Sequence, residues 1–229
     1  MNLTNRGNNI TGKDFGVRES MDTGEFKDFS GSQFLAASAT KRNFSSAKFY
    51  GCNISNSKFD ECDFHYAILR GVILKDSEFL KSKFRCTDFA GATIDGSEFK
   101  GSSFWNSNFR GASISDTSLR DAEFTYCDMG RVSFVRVDFT GADLGRANIQ
   151  DTVFYDCSGI IILNVSDKKR EFFPIAVFSP GLVEDDWKIF SGCRTFSIQE
   201  ALNHWGSPYY PNKKRGASYT RAIQAQLLV

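Results

Sequence analysis

A large apolar side chain recurs at every fifth residue through more than half of this chain. Counting by fives from Phe29 to Phe154 gives 26 consecutive positions without an insertion, of which sixteen are Phe, eight are Leu or Ile, one is Met129 and only Ala39 is small. A second series lies two residues before each centre. From Ala47, Cys52, Ser57 and Cys62 onward to Thr152 and Cys157 it contains nothing larger than Val or Thr. A period of five fits neither the 3.6 of an amphipathic helix nor the 2 of a half-buried strand. A chain that turns a corner every five residues buries both series, and four such sides close a square coil. Coils stacked by backbone hydrogen bonds at about 4.8 Å make a shaft of roughly 31 Å from these units. Every twentieth residue then shares a side, which places Phe44, Phe64, Phe84, Phe104 and Phe124 in one column ending at Leu144. Gly31, Gly51, Gly71, Gly91 and Gly111 recur at that same spacing, two residues after a centre. They support four sides per coil and imply that one corner differs from the other three, since glycine supplies positive φ or close approach at a tight turn.

The units AKFYG, CNISN, SKFDE, CDFHY, ATIDG and ADLGR resemble those of the pentapeptide-repeat family. The resemblance implies an all-β solenoid, a right-handed quadrilateral β-helix, over residues 29–158. It also implies a homodimer formed through a terminal cap. Family members of the quinolone-resistance type protect DNA gyrase, for which mimicry of duplex DNA is the usual explanation. The run WKIFSGCRTFSIQEALNHWG resembles a C-terminal module of some phage-encoded proteins, which implies a phage or prophage source and a host protein as partner.

The two ends follow other rules. Residues 1–28 are polar, with Phe15, Val17 and Phe26 as anchors, and read as a cap or arm. All four prolines (Pro174, Pro180, Pro208 and Pro211) lie in the last quarter, and Gly159 stands where the next centre would fall. Residues 159–229 read as a small α+β cap domain. IIILNV and FFPIAVF suggest two strands joined by a polar turn, positioned to continue the ladder, and WKIFSGC suggests a third. Ser197 and Glu200 fit a capping box opening a helix that Gly206 and Pro208 stop. A last helix is expected from about Ala217 to Leu228.

A net charge of +1 excludes a strongly basic nucleic-acid binder and an acidic tail protein. No apolar run is long enough to span a membrane. The first fifteen residues lack an apolar leader, so the expected location is the cytoplasm, the host's if the source is a phage. Cys52, Cys62, Cys127 and Cys157 fall in the inward small series and read as packing. No cysteine or histidine spacing suggests a metal, and no cofactor is expected. Cys193 with His204 is the one nameable nucleophile and base, but no third group orients them. The chain therefore reads as a non-enzyme.

Residues 29–157 carry 16 acids and 15 bases. Asp28, Asp88 and Asp128 share a column, but Arg70 and Arg110 lie two residues along in register, which dilutes any DNA-like face. Two other surfaces stand out. His65, Arg85 and Trp105 share the outward position after a centre, and Tyr66, Cys86, Tyr126 and Arg146 share the next. Aromatics interleaved with Arg suit a protein-interaction hot spot or a stacking surface for bases. Lys168, Lys169 and Arg170, with Lys213, Lys214 and Arg215 and the aromatics Trp205, Tyr209 and Tyr210, suit a nucleic acid, a nucleotide or an acidic partner. The expected function is a protein-binding scaffold acting on a host enzyme or defence system. The alternatives are a DNA-mimicking gyrase modulator and nucleotide or nucleic-acid binding by the C-terminal module.

Overall fold

A computed structural model describes residues 9–12, 14–17, 28–162, 175–178, 187–191 and 194–228. The five-residue period folds as a right-handed square solenoid of about seven coils. One side carries an eight-stranded parallel sheet, one short strand per coil, from Asn9–Thr11 and Gln33–Leu35 to Val153–Tyr155. Partners are offset by 20 residues, as in Ile54 with Leu74 and Leu74 with Ile94.

The centres fill the axis. Phe84 is fully buried and stacks between Phe64 at 4.9 Å and Phe104 at 5.0 Å, with planes within 10°. Adjacent columns meet edge to face, as Phe79 and Phe84 do at 61°. Both geometries suit the ring quadrupole.

The inward small series contributes more than its size. Ser102 Oγ accepts the Ser82 N–H at 3.0 Å and donates to the Phe79 carbonyl at 2.6 Å. Ser82, Ser107 and Thr87 bind the carbonyls of Phe59, Phe84 and Phe64 in the same way. A hydroxyl therefore links successive coils inside a dry core, which explains the abundance of Ser. Ser102→Ala is expected to leave a buried N–H and a C=O unpaired and to cost about 1–3 kcal/mol, read as a shift in urea midpoint. The cysteines of this series are inert, because burial pushes the thiols of Cys52 and Cys62 up to about 11 and about 12.

The glycine column is not conformationally distinct. All 26 residues two places after a centre have positive φ, eighteen of them non-glycine, such as Lys81 at 53° and Asp116 at 48°. What differs at Gly31, Gly51, Gly71, Gly91 and Gly111 is the absence of a side chain, and open space surrounds each.

The shaft begins earlier than the repeat. Asn9–Thr11 pairs with Gln33–Leu35 and Asp14–Val17 with Ser38–Thr40, so part of the expected N-terminal cap or arm forms coil strands. Ile10 joins the core. Phe26 lies outside the described residues.

The other end closes differently from expectation. Ile160–Ile162, Ile175–Phe178, Trp187–Ser191 and Arg194–Ser197 form a separate four-stranded antiparallel sheet. They do not extend the parallel ladder, and the fourth strand was not foreseen. Neighbouring side chains of a strand point to opposite faces. Phe190 accordingly enters the shaft core, while Ile189 enters a second core beneath two helices. The first helix, α1 (Ile198–Gly206), opens on the Ser197–Glu200 capping box. The second, α2 (Lys213–Leu227), starts four residues before the expected Ala217, because the Asn212 side chain accepts the Arg215 N–H and caps it there.

Candidate functional site: the aromatic–arginine ladder

The corner following Phe64, Phe84, Phe104, Phe124 and Leu144 collects the outward residues singled out by their register. The Arg85 guanidinium lies 4.5 Å from the centre of the Trp105 ring, and that of Arg146 lies 5.0 Å from the Tyr126 ring. Trp105 meets Tyr126 edge-on at 5.9 Å and 71°. Arg85, Trp105, Tyr126 and Arg146 are thus one continuous ladder across four coils. His65 and Tyr66, 6.2 Å apart, occupy the same register one coil before Arg85. His65 Nδ1 is 2.7 Å from Asp63 Oδ1, which fixes its ring. Beside the ladder, Asn106 Nδ2 donates to Cys86 Sγ at 3.5 Å. Tyr66 and Tyr126 remain 63% and 42% exposed, so the ladder is open to contact.

The backbone at this corner carries strain. Tyr66, Tyr126 and Arg146 have φ of 57°, 63° and 60°. The left-handed region costs a side-chain-bearing residue roughly 1–2 kcal/mol. The same left-handed turn recurs at every corner of the coil; what distinguishes this one is the bulk of the groups it carries.

Part of the charge elsewhere on the shaft is paired one coil away. Arg70 pairs with Asp88 at 3.8 Å and Arg110 with Asp128 at 3.6 Å, which neutralises the aspartate column as the register implied. Arg136 binds Asp116 at 2.6 Å, and its hydrogen bonds hold that carboxyl below the usual range. A different edge was missed in the sequence. Asp76, Glu78, Asp95, Glu98, Asp116, Asp138 and Asp156 line the corner after the eight-stranded sheet, with Lys58, Lys75, Arg120 and Arg136 as local bases. Counting each side of the corner in steps of 20 reveals it.

The C-terminal patch does not assemble as expected. Trp205 is buried, stacked on Tyr219 at 4.3 Å, because Ile198, Ala201 and Trp205 form the inner face of α1. Tyr210 packs on the same core, and only Tyr209 stands fully exposed. Lys213, Lys214 and Arg215 form the first turn of α2. Lys168, Lys169, Arg170 and Cys193 lie outside the described residues. His204 Nε2 sits 3.2 Å from an Arg194 nitrogen. Desolvation and that guanidinium lower its pKa. Among the described residues no cluster of His, Cys, Asp or Glu is built to hold a metal, and no helix is long and apolar enough to cross a membrane.

Family models described as pentapeptide repeats (8 copies) and pentapeptide repeats (9 copies) match residues 43–76 and 104–148 respectively. No curated protein sequence matches the chain significantly. Among solved structures, the chain is similar to a trypsin-treated variant of QnrB1, a plasmid-mediated fluoroquinolone resistance protein. Identity is 20%, over 66% of this chain and 72% of that one, with a TM-score of 0.52. HetL, a pentapeptide-repeat protein involved in heterocyst differentiation regulation in the cyanobacterium Nostoc sp., aligns at 15% identity over 67% and 84%, with a TM-score of 0.30. Rfr23 from the cyanobacterium Cyanothece aligns at 18% over 67% and 88%, also at 0.30. The stacked phenylalanines, the 20-residue register and these two family matches agree: the shaft is a pentapeptide-repeat β-solenoid.

Proposed function

We propose that the protein is a non-catalytic scaffold that binds another protein through the corner ladder. The observation that carries this reading is the chain of contacts from Arg85 through Trp105 and Tyr126 to Arg146, left open to solvent. Aromatic and Arg side chains dominate interface hot spots, and a rigid display lowers the entropy lost on binding. Stacking of nucleic-acid bases is disfavoured. Arg85 and Arg146 cover ring faces, and the rings meet edge-on, so bases would have to displace a guanidinium. Free thiols at Cys52, Cys62 and Cys127 suit a reducing compartment.

The test is affinity capture from bacterial lysate with three proteins. These are the wild type, a Trp105→Ala/Tyr126→Gly ladder variant, and a Tyr50→Ala control at another corner. The ladder variant is expected to keep its thermal midpoint, because glycine relieves the left-handed turn, and to lose the species that the other two recover. Equal recovery by all three would reject the ladder as the contact surface.

The acidic edge supports a second reading, modulation of DNA gyrase by mimicry of duplex charge on a fold shared with a fluoroquinolone resistance protein. Supercoiling by purified gyrase decides it: inhibition or protection that disappears on Asp76→Asn/Asp95→Asn/Glu98→Gln supports mimicry, and no effect at micromolar protein rejects it.

A further inference from the structure

We propose that the cleft between the end of α1 and one side of α2 binds a small organic oxyanion, a carboxylate or phosphate group on an apolar body. The cleft has a volume of about 410 Å³, within the range typical of small-molecule sites. It exists because Gly216 lets the Trp205 carbonyl approach to 2.4 Å from where a Cβ would sit, drawing the end of α1 against α2.

The side chains facing the cleft offer protons. Thr220 Oγ1 is buried and has no hydrogen-bond partner among the described residues. A buried hydroxyl left unpaired is unfavourable, and a side-chain rotation that brings it to the lining gives it a partner in a bound ligand. Arg221 follows it on the lining and makes no ion pair among the described residues. Lys213 Nζ donates to the Pro208 carbonyl, which occupies one of its three protons. Ser207 Oγ accepts the Tyr209 N–H at 3.1 Å and keeps its own proton to donate. Four donors, two of them cationic, call for a group that only accepts. A carboxylate or phosphate meets that need and suits the planar fork of Arg221. The carbonyl end of α1 opposes an anion, and the Lys213–Pro208 bond offsets part of that field. Trp205 and Ala217 add apolar lining for the ligand body.

The experiment titrates the full-length protein with benzoate and with phenyl phosphate, following backbone amide shifts by NMR. Inorganic phosphate and benzyl alcohol serve as single-feature controls. Saturable shifts at Gly206–Ser207 and Thr220–Arg221 are expected with one or both aromatic anions, and the tighter of the two identifies the oxyanion. Both controls should bind at least about fivefold more weakly. Arg221→Gln should weaken binding about tenfold or more. Thr220→Val should weaken binding while raising the thermal midpoint of the ligand-free protein. Non-saturating shifts, equal binding of benzyl alcohol, unchanged affinity of Arg221→Gln, or a lowered midpoint of Thr220→Val would each overturn the assignment.

Discussion

Phe84→Ala is expected to reduce the unfolding free energy by about 3–5 kcal/mol, measured as a shift in guanidinium midpoint at constant m-value. The ring has no solvent exposure and is stacked on both sides by Phe64 and Phe104, with Phe79, Phe89 and Phe99 packed around it. The cavity cannot collapse readily. Its walls are short strands and bridges tied to the coils before and after, as by the 2.7 Å bond from the Phe84 N–H to the Ser103 carbonyl. Phe154→Ala should cost clearly less, because that ring is only partly buried at the end of the stack. A loss below about 1 kcal/mol at Phe84 would show that the column is not close-packed.

Gly159→Ala is expected to be comparably damaging, by about 3 kcal/mol or more, for a different reason. Gly159 has φ of +70°, and a Cβ there would lie 2.4 Å from the Thr140 nitrogen and 2.7 Å from its Cα. The obstruction is backbone and cannot rotate away. It stands where the repeat fails and the chain leaves the coil for the antiparallel sheet that carries Phe190 into the shaft core. The variant should therefore loosen the cap, raising tryptophan accessibility to acrylamide below the global transition. An unchanged midpoint and quenching profile would mean that the handover tolerates a side chain.

The coil was legible because its two inward series obey simple volume rules at a fixed spacing. Phe, Leu and Ile fill an axis, and two residues earlier only small groups fit. The sequence did not reveal that Ser102 is there for its hydroxyl as well as its size, because Ser and Ala look alike in a volume pattern. The glycine column was misread for a related reason. Positive φ is shared by Lys81, Asp116 and Tyr126, so glycine reports surface relief there and not backbone geometry. The ladder itself was legible, since register alone puts Arg85 over Trp105 and Arg146 beside Tyr126. The C-terminal module was legible only in part. Trp205 looks like a surface group beside Tyr209 and the Lys213–Arg215 run, yet its helical spacing from Ile198 and Ala201 turns it inward. The fourth strand, Arg194–Ser197, is too short and too polar to announce itself.

The two mouths of the solenoid are unequal. One is plugged by a sheet that plants a phenylalanine in the axis. Among the described residues the other is rimmed by two brief strands, the second of which slips in register between Asp14 and Val17. Because each turn leans only on the turns directly above and below, loosening has a direction. Under heat or load the molecule should unwind from its N-terminal rim, like a rope whose far end alone is whipped, with the plugged end the last to let go.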